Sequence, residues 1–207
     1  MSEEVGLRQR KKAETRQALW HAAVGLFLER GYDNVSIAEI AAAANVSKMT
    51  VFNYFSTKDD LVFGPMEEHI EEYAKVVRSR ATGESVVAAL RRHWLDRLAA
   101  RDPITGLNDS PGIAGLQRLI LQTPSLMPRL YVFVHRSEEA LIEALEQETD
   151  RLTARLAASQ ITSVQGVLLM HNLEQLLAGR PADDVHAEAV ANAQQAFDVL
   201  AGGIGYL

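Results

Sequence analysis

Between Ser36 and Phe55 the chain has room for two short helices joined by one tight turn. Ser36 stands three residues before Glu39. In this S-x-x-E pattern the hydroxyl accepts a free N–H at the helix start and the carboxylate reaches back to the amide of the first residue. The pattern predicts a helix opening at Ile37, with Ile37, Ile40, Ala41 and Ala44 on one face. Asn45 follows, a residue type that tolerates the left-handed backbone of a helix stop. Ser47 then caps a second helix over Lys48 to Phe55. Helix, turn and helix within twenty residues have the spacing of a helix-turn-helix.

On the second helix Val51 and Phe55 lie four apart and face inward, while Lys48, Met49, Thr50, Asn53 and Tyr54 fall on the wetter surface. Such a surface can read base edges: Asn offers donor and acceptor together to adenine, Thr takes an edge or a phosphate, and Lys takes guanine or the backbone. A polar face of an ordinary helical protein has the same composition, so spacing alone leaves both readings open.

Residues 15–63 resemble the DNA-binding domain of the tetracycline-repressor (TetR) family. The resemblance lies in Thr15-Arg16, Ala22-Ala23, Leu26-Phe27, Arg30-Gly31-Tyr32, Ile37, Ile40-Ala41, Ala44, Val46-Ser47, Phe52, Tyr54-Phe55 and Lys58. Two positions depart from the family pattern: Asn45 stands where the turn usually has glycine, and Phe52 where the aromatic close usually opens with tyrosine. The resemblance implies an all-α chain with a helix-turn-helix DNA-binding domain and N-terminal basic arm over residues 1–63. A helical effector-binding and dimerisation domain would follow over residues 64–207. It implies that Lys48, Met49, Thr50 and Asn53 face base edges, and that Thr15, Ser36, Tyr54 and Lys58 hold phosphates. The expected partners are a palindromic double-stranded DNA operator, a second copy of the chain and a small-molecule effector, with no cofactor. The expected activity is that of a ligand-responsive regulator, a repressor released by a small, largely apolar molecule.

The net charge of −6 argues at first against a nucleic-acid partner, but its distribution does not. Residues 1–60 hold eight basic and eight acidic side chains, so the acidity belongs to the remainder. Arg8, Arg10, Lys11, Lys12 and Arg16 cluster near the start, enough for phosphate contacts. No apolar run approaches the roughly eighteen residues of a membrane span, so a cytoplasmic protein with no membrane partner is expected. The chain contains no cysteine, which excludes disulfides and thiolate metal sites.

Apolar periodicity predicts a supporting helix over Ala13 to Arg30 stopped by Gly31, and a further helix from Lys58 after a cap at Ser56 or Thr57. Gly64-Pro65 is expected to interrupt that helix, which resumes over Met66 to Val77; the domain boundary falls at this break. Beyond it, helices are expected over Val86 to Leu98, Ile113 to Gln122, Ser125 to about Thr149, Arg151 to Ala178 and Asp183 to Ile204, with a loop over residues 101–112. The last two carry wide apolar faces, with Leu168 on one and Phe197 on the other, and are expected to close the homodimer. Trp94, Met127, Tyr131, Phe133, Met170 and His171 supply adaptable apolar surface with a few polar tips, the mixture of a small-molecule pocket, although each could equally be ordinary core.

Enzymatic readings find little support. There is no glycine-rich phosphate loop, nucleophile elbow, H-E-x-x-H or E-x-x-H. The nearest metal-like pairs are His69 with Glu72 and His135 with Glu138, each one helical turn apart. A helical enzyme or carrier with a DNA-binding-like module, and a ligand-free architectural DNA binder, remain as alternatives.

Overall fold

The computed structural model describes residues 2–203, and side chains from Gln9 onward. The side chain of Arg8 in the basic cluster, and the predicted helix end at Ile204, lie outside the described residues. Among those described, ten α-helices and two short 3₁₀ turns make up the fold, and there is no strand. No helix among them is long and apolar enough to cross a membrane.

The chain divides into two compact units, one running to Glu67 and taking in Gly115–Leu130, the other Glu68–Ala114 with the chain from Tyr131 onward. The first unit is built on α1 (Ser2–Arg30), α2 (Ile37–Ala43), α3 (Lys48–Tyr54) and α4 (Asp60–Glu67). Its core takes Leu19, Ala23 and Phe27 from α1, Ile40 from α2, Val51 and Phe55 from α3 and its cap, and Leu61, Val62 and Phe63 from α4. The expected interruption at Gly64-Pro65 does not occur. The proline ring sacrifices only its own hydrogen bond, and three consecutive buried residues hold α4 in the core, so the helix continues to Glu67.

A second difference concerns the boundary. Leu116 and Ile120 of α7 (Pro111–Gln122), and Leu126 of the 3₁₀ turn Pro124–Leu126, belong to the first core, so this unit is completed by residues distant in sequence. Arg129 at the start of α8 (Met127–Leu145) adds ion pairs to Asp60 (3.1 Å) and to Glu67.

The second unit comprises α5 (Glu72–Ser79), α6 (Val86–Ala99), most of α8, α9 (Arg151–Leu177) and α10 (Ala182–Gly202). Helix α10 lies against α6 and α9. Its buried stripe Val185, Ala189, Ala193 and Phe197 faces Leu90, Trp94 and Leu98 of α6 and Ile161 and Leu168 of α9 within one core. Leu168 and Phe197 are therefore internal to a single chain; the large apolar residues of α9 left in solvent are Leu152, Leu156 and Val167.

The 3₁₀ turn Pro103–Thr105 docks on α9 through Asn172, whose Nδ2 donates to the Thr105 carbonyl at 2.9 Å. Gly106 closes that turn at φ 72°, and a Cβ there would lie 2.2 Å from the Leu169 carbonyl oxygen. Only glycine satisfies both the left-handed backbone and that approach.

Candidate nucleic-acid interface

The helix-turn-helix is fixed by local bonds. The Glu39 amide donates to Ser36 Oγ (3.3 Å), while the Ser36 amide and hydroxyl donate to Glu39 Oε2 at 2.9 and 2.7 Å. Arg30 reaches the other carboxylate oxygen at 3.2 Å. These bonds, the Ser36 amide first, hold the Glu39 carboxyl below its ordinary value. Asn45 takes the left-handed conformation (φ 54°), and Val46 N–H donates to the Ala41 carbonyl at 2.9 Å, closing the turn. Ser47 Oγ accepts the Thr50 amide at 3.0 Å and shares a bond of 2.8 Å with the Thr50 hydroxyl, starting α3.

Helix α3 buries Val51 completely and turns Lys48, Met49, Phe52 and Asn53 outward, with Met49 70% exposed. These four lie at i, i+1, i+4 and i+5 and so form one face. Phe52 belongs to that face as an exposed aromatic; the family pattern drew attention only to its missing hydroxyl, although its spacing from Lys48 and Met49 shows where it points. Thr50 and Tyr54 are half-buried at the edges of the face, Tyr54 against the core.

Phe55 anchors the end of α3. The Arg16 guanidinium lies 4.9 Å from the centre of its ring, and Gly64 of α4 comes so near that a Cβ there would stand 3.2 Å from both the ring and the guanidinium.

The residues expected on phosphates have varied employment. Thr15, half-buried on α1, donates its hydroxyl to the Lys11 carbonyl at 2.9 Å, close to exposed Arg10, Lys11, Lys12 and Arg16. Ser36 is exposed but engaged with Glu39. Lys58 differs most. Its amine donates to the Tyr32 carbonyl at 2.5 Å and lies 4.1 Å from the Tyr32 ring centre, while the Tyr32 hydroxyl bonds Asp59. Burial lowers the Lys58 pKa against the pull of Asp33, Asp59 and Glu39, so the structure gives this ammonium a task inside the fold.

The six residues expected to line an effector pocket do not share one wall. Trp94 is closed in the second core, Phe133, Met170 and His171 are half-buried, and Tyr131 is 70% exposed, stacked on His135 with ring centres 6.1 Å apart. Met127 must be reassigned: the Pro124–Leu126 turn delivers it to the first core, where it packs beside Leu126 and Leu130. An open depression of about 370 Å³ lies between Val87 and Leu95 of α6 and Ala201 of α10, rimmed by Arg91 and Arg92, and none of the six lines it.

His69 and Glu72 do meet, within a wider ionic cluster in the second unit. His69 Nδ1 and His93 Nε2 (2.6 Å) contact opposite oxygens of the Glu72 carboxylate, and Arg97 bonds both Glu72 (2.5 Å) and Asp102 (2.7 Å). Burial pushes the Glu72 carboxyl up, but the two imidazoles and the Arg97 charge overcome it and leave it well below the usual range. The hydrogen bond to Glu72 raises His69. With Arg97 beside the carboxylate, this is an ion cluster; among the described residues no group of His, Asp or Glu side chains is arranged to hold a metal.

Fold and site define an all-helical protein with a helix-turn-helix near its start. Residues 19–63 match the family model of the bacterial regulatory proteins of the tetR family, so this segment is a domain of that family. It is similar to the HTH-type transcriptional regulator TcmR of Streptomyces glaucescens, at 31% identity over 137 residues covering 65% of this chain and 58% of TcmR. The chain thus spans little more than half the length of that relative. In structure it resembles native NalD, the secondary repressor of the MexAB-OprM multidrug efflux pump in Pseudomonas aeruginosa (TM-score 0.60, 19% identity, 90% of this chain and 96% of NalD). It also resembles SmeT in its complex with triclosan (TM-score 0.60, 16% identity, 94% of each chain).

Proposed function

We propose that this chain is a non-catalytic cytoplasmic repressor of transcription that reads a palindromic DNA site as a homodimer and leaves it when a small, largely apolar molecule binds its helical body. The observation that carries this reading is the outward face of α3, with Lys48, Met49 and Asn53 held on a helix whose start, preceding turn and far end are each fixed by named bonds. In this role Lys48, Met49, Thr50 and Asn53 address base edges. Thr15, Ser36 and Tyr54 address phosphates together with the exposed basic residues of α1, and Lys58 serves by holding the loop before α4.

Dimer formation through α9 is supported by its exposed apolar residues Leu152, Leu156 and Val167, which gain by being covered. Two-fold symmetry would present two α3 helices to half-sites about 34 to 36 Å apart. The effector role of the second unit is supported by the triclosan complex of SmeT and by the half-buried Phe133, Met170 and His171.

Selection from a randomised duplex library tests the reading. The full chain should enrich an inverted repeat with half-sites one helical turn apart. Enrichment of no sequence over the starting pool would overturn it.

A further inference from the structure

The second core contains polar atoms that no protein group answers. Gln165 of α9 is 4% exposed, and neither its side-chain oxygen nor its nitrogen has a partner. Trp94 of α6, in the same core cluster and 1% exposed, keeps its indole Nε1–H unbonded. Asn172 gives its amide N–H to the Thr105 carbonyl but leaves its own Oδ1 unanswered.

These atoms stand out because the stripe that carries them is otherwise core. Ala158, Ile161, Gln165, Leu168 and Asn172 follow one another at three- and four-residue steps along the buried face of α9, and Ile161 and Leu168 on either side of Gln165 are apolar and closed from solvent. A leucine at position 165 would continue the stripe without leaving a buried amide unbonded, and buried polar groups are seldom left so. An amide with both its donor and its acceptor free presents the complement of another amide.

We propose that Gln165 is the polar anchor of a ligand whose head sets a hydrogen-bond donor beside an acceptor, the carboxamide and lactam class, and whose remainder is apolar. A carboxylate head is disfavoured because the stripe bears no cation, and burying an ion without a partner is costly. The inference deepens the proposed function, resting on its assignment of a ligand to the helical body.

The test uses the full chain and three probes of equal length: hexanamide, hexanoate and hexanol. The ¹⁵N–¹H indole resonance of Trp94, assigned with Trp20→Phe, follows binding without DNA. Hexanamide should shift this resonance and bind at least tenfold more tightly than the other two, and Gln165→Leu should remove that preference. The empty Gln165→Leu protein should melt no lower than the parent, because the substitution removes an unbonded amide. If Gln165→Leu melts lower, the amide is structural and the proposal falls. It also falls if the variant retains the preference for hexanamide, or if hexanamide does not bind. Gln165→Met repeats the comparison should the leucine variant not fold. If hexanamide binds through Gln165 yet no such ligand alters DNA binding, the anchor stands and the repressor reading fails. If a compound of another class releases DNA and ignores Gln165, the anchor alone fails.

Discussion

The helix-turn-helix and the pair α9–α10 are both short on long-range information in the sequence, yet they differ in what decides them. In the first, each boundary is set by neighbours within four residues: Ser36 by Glu39, the turn by Asn45, α3 by Ser47 and Thr50. In the second, the apolar periodicity fixes that Phe197 and Leu168 are covered but not by what. The answer is this chain's own α6 and α10 or α9, with Leu152, Leu156 and Val167 left outside. Local bonds specify an element's ends; only packing specifies what its face meets.

The largest effect should break that comparison on the α10 side. Phe197→Asp places a charge in a fully closed site and should cost about 4 kcal/mol or more, read as loss of cooperative thermal unfolding. Val167→Asp should leave the circular dichroism unchanged and convert a sedimenting dimer to monomer. A monomeric parent would remove that part of the proposal.

Next comes the reading face, where Asn53→Ala should lose about 1 to 3 kcal/mol of affinity for the selected site and relax its sequence preference. Unaltered affinity and preference would mean that another face of the domain reads DNA.

Lys58→Met sharpens the contrast between surface and interior roles. Loss of the bond to the Tyr32 carbonyl and of the ring contact should lower the stability of the first unit by about 1 to 2 kcal/mol. DNA binding should weaken while the slope of affinity against salt stays the same. A slope reduced by about one would instead identify Lys58 as a phosphate contact.

The smallest effect concerns pH. His69 binds its proton more tightly in the fold than its ordinary pKa of 6.5 because the ring donates to Glu72. Its contribution is therefore complete below about pH 6.5 and is lost as pH rises through the higher folded value. The urea midpoint should fall between pH 6.5 and 8 in the parent and less so in His69→Gln; equal falls would place the proton elsewhere.

The helices, the caps and the outward direction of Lys48, Met49 and Asn53 were legible in the sequence because each depends on residues close along the chain. Three things were not. The return of Leu116, Ile120, Leu126 and Met127 to the first core depends on a path of some fifty residues between, which no periodicity records. The internal role of Lys58 depends on Tyr32, 26 residues earlier, bringing its carbonyl and ring to the amine. The orphaned amide of Gln165 was hidden because polar residues on a long helix ordinarily face water.

Gly64 and Gly25 show what the close approach at Phe55 means for anyone altering this protein. Both stand inside continuous helices, and by intrinsic preference alone replacing either with alanine favours the helix by roughly 1 kcal/mol. At Gly25 nothing lies within 4 Å of the added methyl, so the gain is free to appear. At Gly64 the methyl would press on the Phe55 ring, which the core holds almost fully closed and which terminates α3. The same substitution would there trade thermal robustness against the seating of α3, the helix proposed to read DNA. Efforts to harden the protein by replacing helical glycines should accordingly spare position 64, the one of this pair where helix rigidity and the seating of α3 depend on the same atoms.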